Sequence, residues 1–312
     1  MNVINFSQKY EQEVVELWNQ ACYFDAISLH KFRQQALLDD NFDENLSWIA
    51  LEDGKVVGFL MATKRKFPYM ERGLEPERGW INVIFVDAKH RKQGIGQALY
   101  NKAEQALKDL GCTSITLGAY SPSYFFAGLD AEHYPESISF FTKNGYQPNE
   151  SHYSMGINLH GYQMSKESLE KKKKFEKEGY SFVSFTYPHA LELISFVRDE
   201  FGGGWKRSVM ITMRNGTAEN TIILVLNPDN KICGFVLSGG DGTALRFGPI
   251  GIAKELRNSG IGGVLLELKL YDLCTKGTYR TYFMTTDDPG KRFYERHGIT
   301  LIREYVDYRK NI

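Results

Sequence analysis

A chain that carries one ordered set of short motifs twice is constrained to fold as two copies of one unit, and this 312-residue chain does so. Arg91-Lys92-Gln93-Gly94-Ile95-Gly96 and Arg257-Asn258-Ser259-Gly260-Ile261-Gly262 share the pattern R-x-x-G-I-G and stand 166 residues apart. The glycines that close the following helical stretch, Gly111 and Gly277, keep that spacing. Upstream, Asp53 to Phe59 (DGKVVGF) parallels Asp229 to Phe235 (DNKICGF), and downstream Phe140 to Gly145 (FFTKNG) parallels Phe293 to Gly298 (FYERHG). Three anchors recur in one order, which is the signature of duplication. The shifting offsets place about ten extra residues before the first glycine loop and about thirteen after its helix.

Hydrophobic periodicity reads alike in both halves. An alternating strand (Asn2 to Ser7; Ser181 to Tyr187) precedes an amphipathic helix carrying Val14, Leu17 and Trp18, or Leu193, Phe196 and Val197. A hairpin follows, built from Trp48 to Leu51 and Val56 to Ala62, or from Ile222 to Leu226 and Ile232 to Leu237. A strand (Trp80 to Val86; Ala244 to Ile252) then enters the glycine loop and a long helix, with Ile261, Val264, Leu265 and Leu268 inward in the second copy. A further strand (Ser114 to Leu117; Tyr279 to Met284), a short helix and a last strand complete each unit. The expected division is an N-terminal domain over 1–163, a charged helical linker over 164–179, and a C-terminal domain over 180–312. The lysine run in that linker is interspersed with glutamates and reads as a solvated helix face.

Bulk properties exclude several classes. Lys+Arg and Asp+Glu balance at 38 each, so no net field favours nucleic acid or an anionic membrane. Cys22, Cys112, Cys233 and Cys274 form no CxxC or Cys/His cluster, which argues for reduced thiols and against a metal site. The N-terminus lacks a signal-peptide pattern and no apolar run approaches the length of a membrane span, so a cytoplasmic protein is expected.

A strand running into R-x-x-G-x-G and straight into a helix is an anion-binding device. Its glycines allow a tight turn, and several N–H groups then converge at a helix N-terminus, where the dipole favours negative charge. The two cradles comprise Arg91, Lys92, Gln93, Gly94, Ile95, Gly96 and Gln97, and Arg257, Asn258, Ser259, Gly260, Ile261, Gly262 and Gly263. No Gly-Lys-Ser/Thr follows, so neither loop is a Walker A motif. Leu99 and Leu265 replace the third glycine of a dinucleotide fingerprint.

Strand, R-x-x-G-x-G, long helix, strand, and a short helix ending F-Y-x-x-x-G resemble the GNAT superfamily of N-acetyltransferases, once per half. The resemblance implies an α/β fold of the α+β type: two tandem domains, each a mixed, splayed sheet flanked by helices. It implies acetyl-CoA as acyl donor, with its pyrophosphate on the loop amides. Its pantetheine would lie along Ile84, Phe85 and Val86 in one half and Ile250, Gly251 and Ile252 in the other. The partner would be a small-molecule primary amine, attacking the thioester directly, with the protein a monomer or homodimer.

In the family a tyrosine on the short helix often returns a proton to the leaving thiolate. Tyr294 stands there in the second half and Phe141 in the first, which makes the C-terminal half the expected catalytic one. The family's frequent glutamate is replaced by Asn82 and Gly248, leaving Asp287 and Asp288, with Glu295, as candidate bases. The aromatic segment Ala119 to Pro135 either walls a substrate pocket, through Tyr120, Tyr124, His133 and Tyr134, or packs on the rest of the protein. The alternative function is acyl-CoA binding without turnover in one half or both.

Overall fold

The computed structural model describes residues 1–312 except Tyr124, Asp241, Gly242 and Ala244. Its elements fall into two compact units, one of residues 1–152 with 304–312, the other of residues 153–303. The first unit contains β1 (Asn2–Asn5), α1 (Glu11–Ala21), α2 (Leu29–Phe32), β2 (Ser47–Glu52), β3 (Lys55–Lys64), β4 (Arg78–Val86), α3 (Ile95–Asp109), β5 (Ser114–Leu117), α4 (Pro135–Lys143) and the start of β6 (Gln147–Asn158). The second contains the end of β6, α5 (Lys166–Lys177), β7 (Ser181–Ser184), α6 (Ala190–Phe201), α7 (Gly203–Arg214), α8 (Ala218–Thr221), β8 (Ile222–Leu226), β9 (Ile232–Ser238), β10 (Phe247–Ile252), α9 (Ile261–Thr275), β11 (Arg280–Phe283), α10 (Asp288–Glu295) and the start of β12 (Thr300–Asn311). No helix among the described residues is long and apolar enough to cross a membrane.

In the first unit β1 to β4 form an antiparallel run, and β4 then pairs in parallel with β5. The far side of β5 is taken by the C-terminal end of the chain, with Tyr308 opposite Leu117 and Asn311 opposite Ser114. In the second unit β7 to β10 are antiparallel, and β11 pairs with the Met155–Asn158 part of β6. β6 and β12 therefore each begin in one unit and end in the other. This exchange departs from the linear division expected at 163 and 179, because a sheet edge is completed by whichever strand satisfies its backbone groups, at any sequence separation.

Each unit buries apolar side chains on both faces of its sheet. Leu60, Ile81, Ile95, Leu99, Leu107 and Ile115 fill the α3 face of the first, while Val14, Trp18, Phe59, Val83 and Phe85 fill the α1 face. Ile261, Val264 and Leu265 of α9 are fully buried as expected, and Leu268 half-buried. The same helix also buries Glu267 and Lys269, which its own periodicity would place outside. The reason is α5. The segment expected to be a free linker lies along α9, with Phe175 and Ser168 buried and its lysines largely in solvent. Ser165 donates to Glu267 through its backbone N–H at 2.7 Å and its hydroxyl at 3.2 Å. Helices α7 and α8, between α6 and the second hairpin, were not expected from the repeat; α7 turns Val209 and Thr212 inward.

Candidate active site

The gap that the resemblance requires has a local cause in each unit. β4 pairs with β3 from Gly58↔Val86 to Met61↔Val83 and then resumes at Ala62↔Ile81, so Asn82 is an extra residue bulged out of the ladder. The parallel pairing with β5 ends at the same place, Ile81↔Leu117, with Gly118 N–H donating to the Ile81 carbonyl at 2.9 Å. Beyond the bulge, Asp87 N–H donates to Val57 O on β3 at 2.9 Å. Backbone polar groups alternate along a strand, so Phe85 also faces β3, while Ile84 and Val86 present theirs to the gap that β5 has left. The Phe85 side chain is buried 5.5 Å from Trp18. Of the three residues expected along a pantetheine, Phe85 therefore offers no free backbone.

The second unit repeats the device with different residues. β10 pairs with β9 at Phe247↔Ser238 and resumes at Ile250↔Val236, one residue out of step across Gly248-Pro249. Gly248 has φ +90°, a conformation that favours glycine. Ala253 N–H donates to Cys233 O at 2.9 Å, which turns Gly251 toward β9 and leaves Ile250 and Ile252 facing the gap. Among the described residues, β11 bridges in parallel to Arg246, just before β10, through Tyr282. A Cβ on Gly251 would meet the Phe201 ring at 2.4 Å, so Gly251 serves packing.

The two loops superpose residue for residue in backbone conformation. Lys92 and Asn258 have φ +61° and +66°, and Gly94 and Gly260 have φ +87° and +94° immediately before helices of 15 residues. Neither helix is capped by the side chain of its N-cap residue, a glycine in both. In the second, however, Ser259 Oγ accepts from Ile261 N–H at 3.3 Å and Gly260 O from Gly263 N–H at 3.2 Å, so fewer of its first-turn amides are left for a ligand or solvent. Each loop arginine bonds back to the last gap-facing carbonyl: Arg91 Nε to Val86 O at 3.3 Å, Arg257 Nε to Ile252 O at 3.4 Å. Their guanidinium groups stay partly exposed, near Glu136 and Glu200 respectively.

Two differences between the loops were invisible in sequence. Gln97 does not point into its cradle; it exchanges hydrogen bonds with Asn144 at 2.8 and 3.2 Å. In the second unit Gly263 takes that position, and the His297 ring fills the space a side chain would need, 2.7 Å from a Cβ there. His297 Nδ1 is held by Glu267 at 2.9 Å. Burial by itself would raise the Glu267 carboxyl, but bonds from Ser165, Ser168 and His297 outweigh it and hold it below the usual range. Lys171 of α5 brings its Nζ to 3.4 Å from the Cβ position of Gly260, whereas nothing lies within 4 Å of that position on Gly94. One lysine of a run of four thus reaches the second cradle, and the composition of the run gives no signal as to which.

Tyr294 lies across the second gap. Its ring is 6.4 Å from Phe247 on β10 and 4.4 Å from Phe283 on β11, and its hydroxyl makes no hydrogen bond to a described residue. Burial, aided by the charge of Asp287, raises its pKa well above that of a free phenol. Such a group stays protonated and suits donation rather than abstraction. Phe141 is fully packed at the corresponding place in the first unit, against Phe140 and Tyr146.

The expected bases have structural duties. Asp287 caps α10 by accepting from Gly290 N–H at 2.9 Å, and Asp288 accepts from the Tyr153 hydroxyl at 2.9 Å. Glu295 is exposed, near Lys291. Asn82 donates to Thr63 at 3.0 Å and keeps its Oδ1 buried without a partner among the described residues.

The aromatic segment packs against α1, with Phe125 and Phe126 at 4.8 and 5.9 Å from Trp18. Tyr120 is fully buried: its hydroxyl donates to Asp39 and accepts from Asn41, both at 2.9 Å, and its ring stacks under Arg65 at 5.0 Å. Its hydroxyl, expected as a polar tip for substrate, is instead buried and engaged by Asp39 and Asn41. Tyr124 lies outside the described residues. His133 and Tyr134 stay half-buried; His133 Nδ1 is held by Asp130 at 2.8 Å, and the Tyr134 hydroxyl donates to Asp25 at 2.6 Å.

The loops supply a sharp prediction. Val in place of Gly94 or Gly260 forces a β-branched residue to positive φ without a core clash, since only open space or the flexible end of Lys171 lies nearby. At about 1–3 kcal/mol of strain per position, CoA affinity of the altered unit should fall about 10- to 100-fold. Calorimetric titration of each variant reads the loss, and the other unit should keep its affinity.

Comparison with known proteins agrees with this geometry. Residues 9–125 match the model of the acetyltransferase (GNAT) family. No curated protein matches the chain in sequence. Among solved structures, the chain is similar to the GCN5-related glucosamine N-acetyltransferase region of a fungal multi-domain GH3 β-N-acetylglucosaminidase (18% identity, TM-score 0.80), covering 99% of this chain and 38% of that one. It is similar to a GCN5-related N-acetyltransferase from Sphaerobacter thermophilus (16%, TM-score 0.71), covering 99% and 95%. It is also similar to a tandem GNAT protein from the clavulanic acid biosynthesis pathway (14%, TM-score 0.64), covering 99% and 98%. Motifs, splayed sheets and matches agree that this chain has a tandem GNAT fold, with residues 9–125 matching the model of the acetyltransferase (GNAT) family.

Proposed function

We propose that the protein is an acetyl-CoA-dependent N-acetyltransferase acting on a primary amine of a small molecule, with the C-terminal unit as a catalytic site. The observation that carries this reading is the Tyr294 phenol, which lies across the gap between β10 and β11, is held protonated and has no hydrogen-bond partner among the described residues.

The residues present fit the donor. The helix start at Gly260 and Gly262, with Arg257 and Lys171 beside it, matches a pyrophosphate in charge and hydrogen-bonding sense. Gap-facing backbone at Ile250 and Ile252 matches the amides of a pantetheine arm. Acetyl-CoA supplies an activated acyl group when bound. Ile250 and Ile252 orient it, Phe247 and Phe283 keep water from the gap, and Tyr294 holds the proton that the leaving sulfur needs.

Asp287 is engaged in capping α10 and Asp288 accepts from the Tyr153 hydroxyl, so the amine enters already neutral or loses its proton to solvent. Release of free thiol from acetyl-CoA should therefore depend on an amine acceptor and rise with pH as more of the amine is neutral. The test is turnover against a panel of amino sugars, polyamines and amino acids, beginning with glucosamine, the acceptor named for the fungal structure. Amine-dependent thiol release with formation of the amide is expected. Thiol release equal with and without every amine would remove the reading and leave an acyl-CoA-binding protein.

A further inference from the structure

The first unit lacks the tyrosine but holds a cluster of another kind. Asp130 is 3% exposed and uses one carboxylate oxygen to accept the N–H groups of Glu132 and His133, both at 3.0 Å. Its other oxygen holds His133 Nδ1 at 2.8 Å. The imidazole is thereby fixed in orientation, and its Nε2 makes no bond to a described residue. A buried carboxylate that fixes one ring nitrogen and leaves the other free is the arrangement of an oriented base.

The place of this pair in the fold matters as much as its geometry. The segment that carries it closes on the end of β5, where Ala119 N–H donates to Phe126 O at 2.7 Å, and Leu129 then takes up pairing with Val306 in line with β5. Asp130 and His133 follow directly, on the β5 side of the gap. The same segment reaches the β4 side through Phe125 and Phe126, which pack on Trp18, itself against Phe85. The His133 ring lies 4.3 Å from Phe24, which is 55% exposed beside Tyr23 at 73%. Two adjacent, exposed aromatic rings beside a free imidazole nitrogen make a stacking wall. Asp25, on the same turn and bonded to Tyr134, adds negative charge that attracts an ammonium group.

We propose that the first unit is a second acetyl-transfer site, in which His133 is the base and Tyr23 and Phe24 stack an amine carried on a ring with an apolar face, the chemistry of an amino sugar. This rests on the reading that the glycine loops deliver acetyl-CoA. The amine nitrogen forms a bond to the carbonyl carbon and the C–S bond breaks. The amine proton passes to His133 Nε2 and on to water, and the departing thiolate takes a proton from solvent, since Phe141 has none to give. Charged groups around His133 are Asp130 on its own segment, Asp25 on the turn after α1, and Glu136 on α4, itself near Arg91.

The test uses a full chain carrying Gly260→Val, in which only the first cradle binds CoA well. There, His133→Gln should lower kcat/KM for glucosamine at least about 100-fold and change the pH profile of the rate, with CoA affinity unchanged. Phe24→Ala, an exposed position with no core contact to lose, should weaken glucosamine binding about tenfold in calorimetry without acetyl-CoA, while kcat changes little. Unchanged kcat/KM and pH profile in His133→Gln, or unchanged amine binding in Phe24→Ala, overturns the proposal. A Gly260→Val chain that binds CoA yet turns over no amine, beside an active Gly94→Val chain, overturns it and leaves the C-terminal reading standing. Loss of turnover in wild type and both variants removes the two together.

Discussion

Tyr294→Phe, made in a chain whose first cradle is disabled by Gly94→Val, should lose about 100- to 10,000-fold in turnover, the range of a positioned general acid. The substitution removes one hydroxyl and no packing. The ring keeps its contacts with Phe247, Phe283 and Phe293, and the hydroxyl has no hydrogen bond to a described residue to break. Stability should therefore be unchanged and CoA affinity nearly so, with the loss in kcat. A rate within twofold of the parent would take Tyr294 out of the mechanism and return it to packing. The raised pKa adds a second reading: the phenol stays protonated through neutral and mildly alkaline pH, so no falling limb from its ionisation should appear below the range of a free tyrosine.

Deleting residues 304–312 should destabilise the N-terminal unit, although the deleted segment is the C-terminus. That segment supplies the ladder from Tyr308↔Leu117 to Asn311↔Ser114 and the paired bonds between Val306 and Leu129, each 2.8 Å. It also buries Tyr305 and Tyr308 and brings Lys310 to the Tyr100 hydroxyl at 3.1 Å and to Glu104. Two buried aromatic side chains at about 1.5–3 kcal/mol each, with several ladder bonds at about 1 kcal/mol each, amount to much of a domain's total stability. Hydrogen exchange reads the outcome by location. Protection should fall in β4 and β5 and persist in β8 and β9. Loss confined to β8 and β9 would contradict the strand exchange.

Much of the fold was legible because its signals are local. The strand edges at Ser114 to Leu117 and Ile222 to Leu226 agree with β5 and β8, and the R-x-x-G-x-G loops fold alike down to two left-handed residues each. What stayed hidden depends on contacts far apart in sequence. Periodicity cannot say that β12 ends beside β5, since pairing is a choice among edges. The α5 segment read as solvated because ten of its twelve residues are charged or small polar; the two buried ones, Ser168 and Phe175, carry no helical stripe. Tyr120 read as a polar tip because its partners, Asp39 and Asn41, lie some eighty residues upstream. Asp130 stands three residues before His133, but only the turn it begins brings one of its oxygens onto the His133 ring and the other onto the N–H groups of Glu132 and His133. Asp287 announced its duty in sequence: Asp followed by Asp-Pro-Gly at a helix start is a cap before it is a base.

Two cradles of one design should each hold a CoA of their own. Calorimetric titration of CoA into the intact chain tests this most directly. Two sites are predicted, one lost in Gly94→Val and the other in Gly260→Val, and they should differ in affinity, because Lys171, paired with Glu167, reaches the second loop and no described residue takes that place beside Gly94. A single site in the intact chain, or a site that survives both substitutions together, would contradict it.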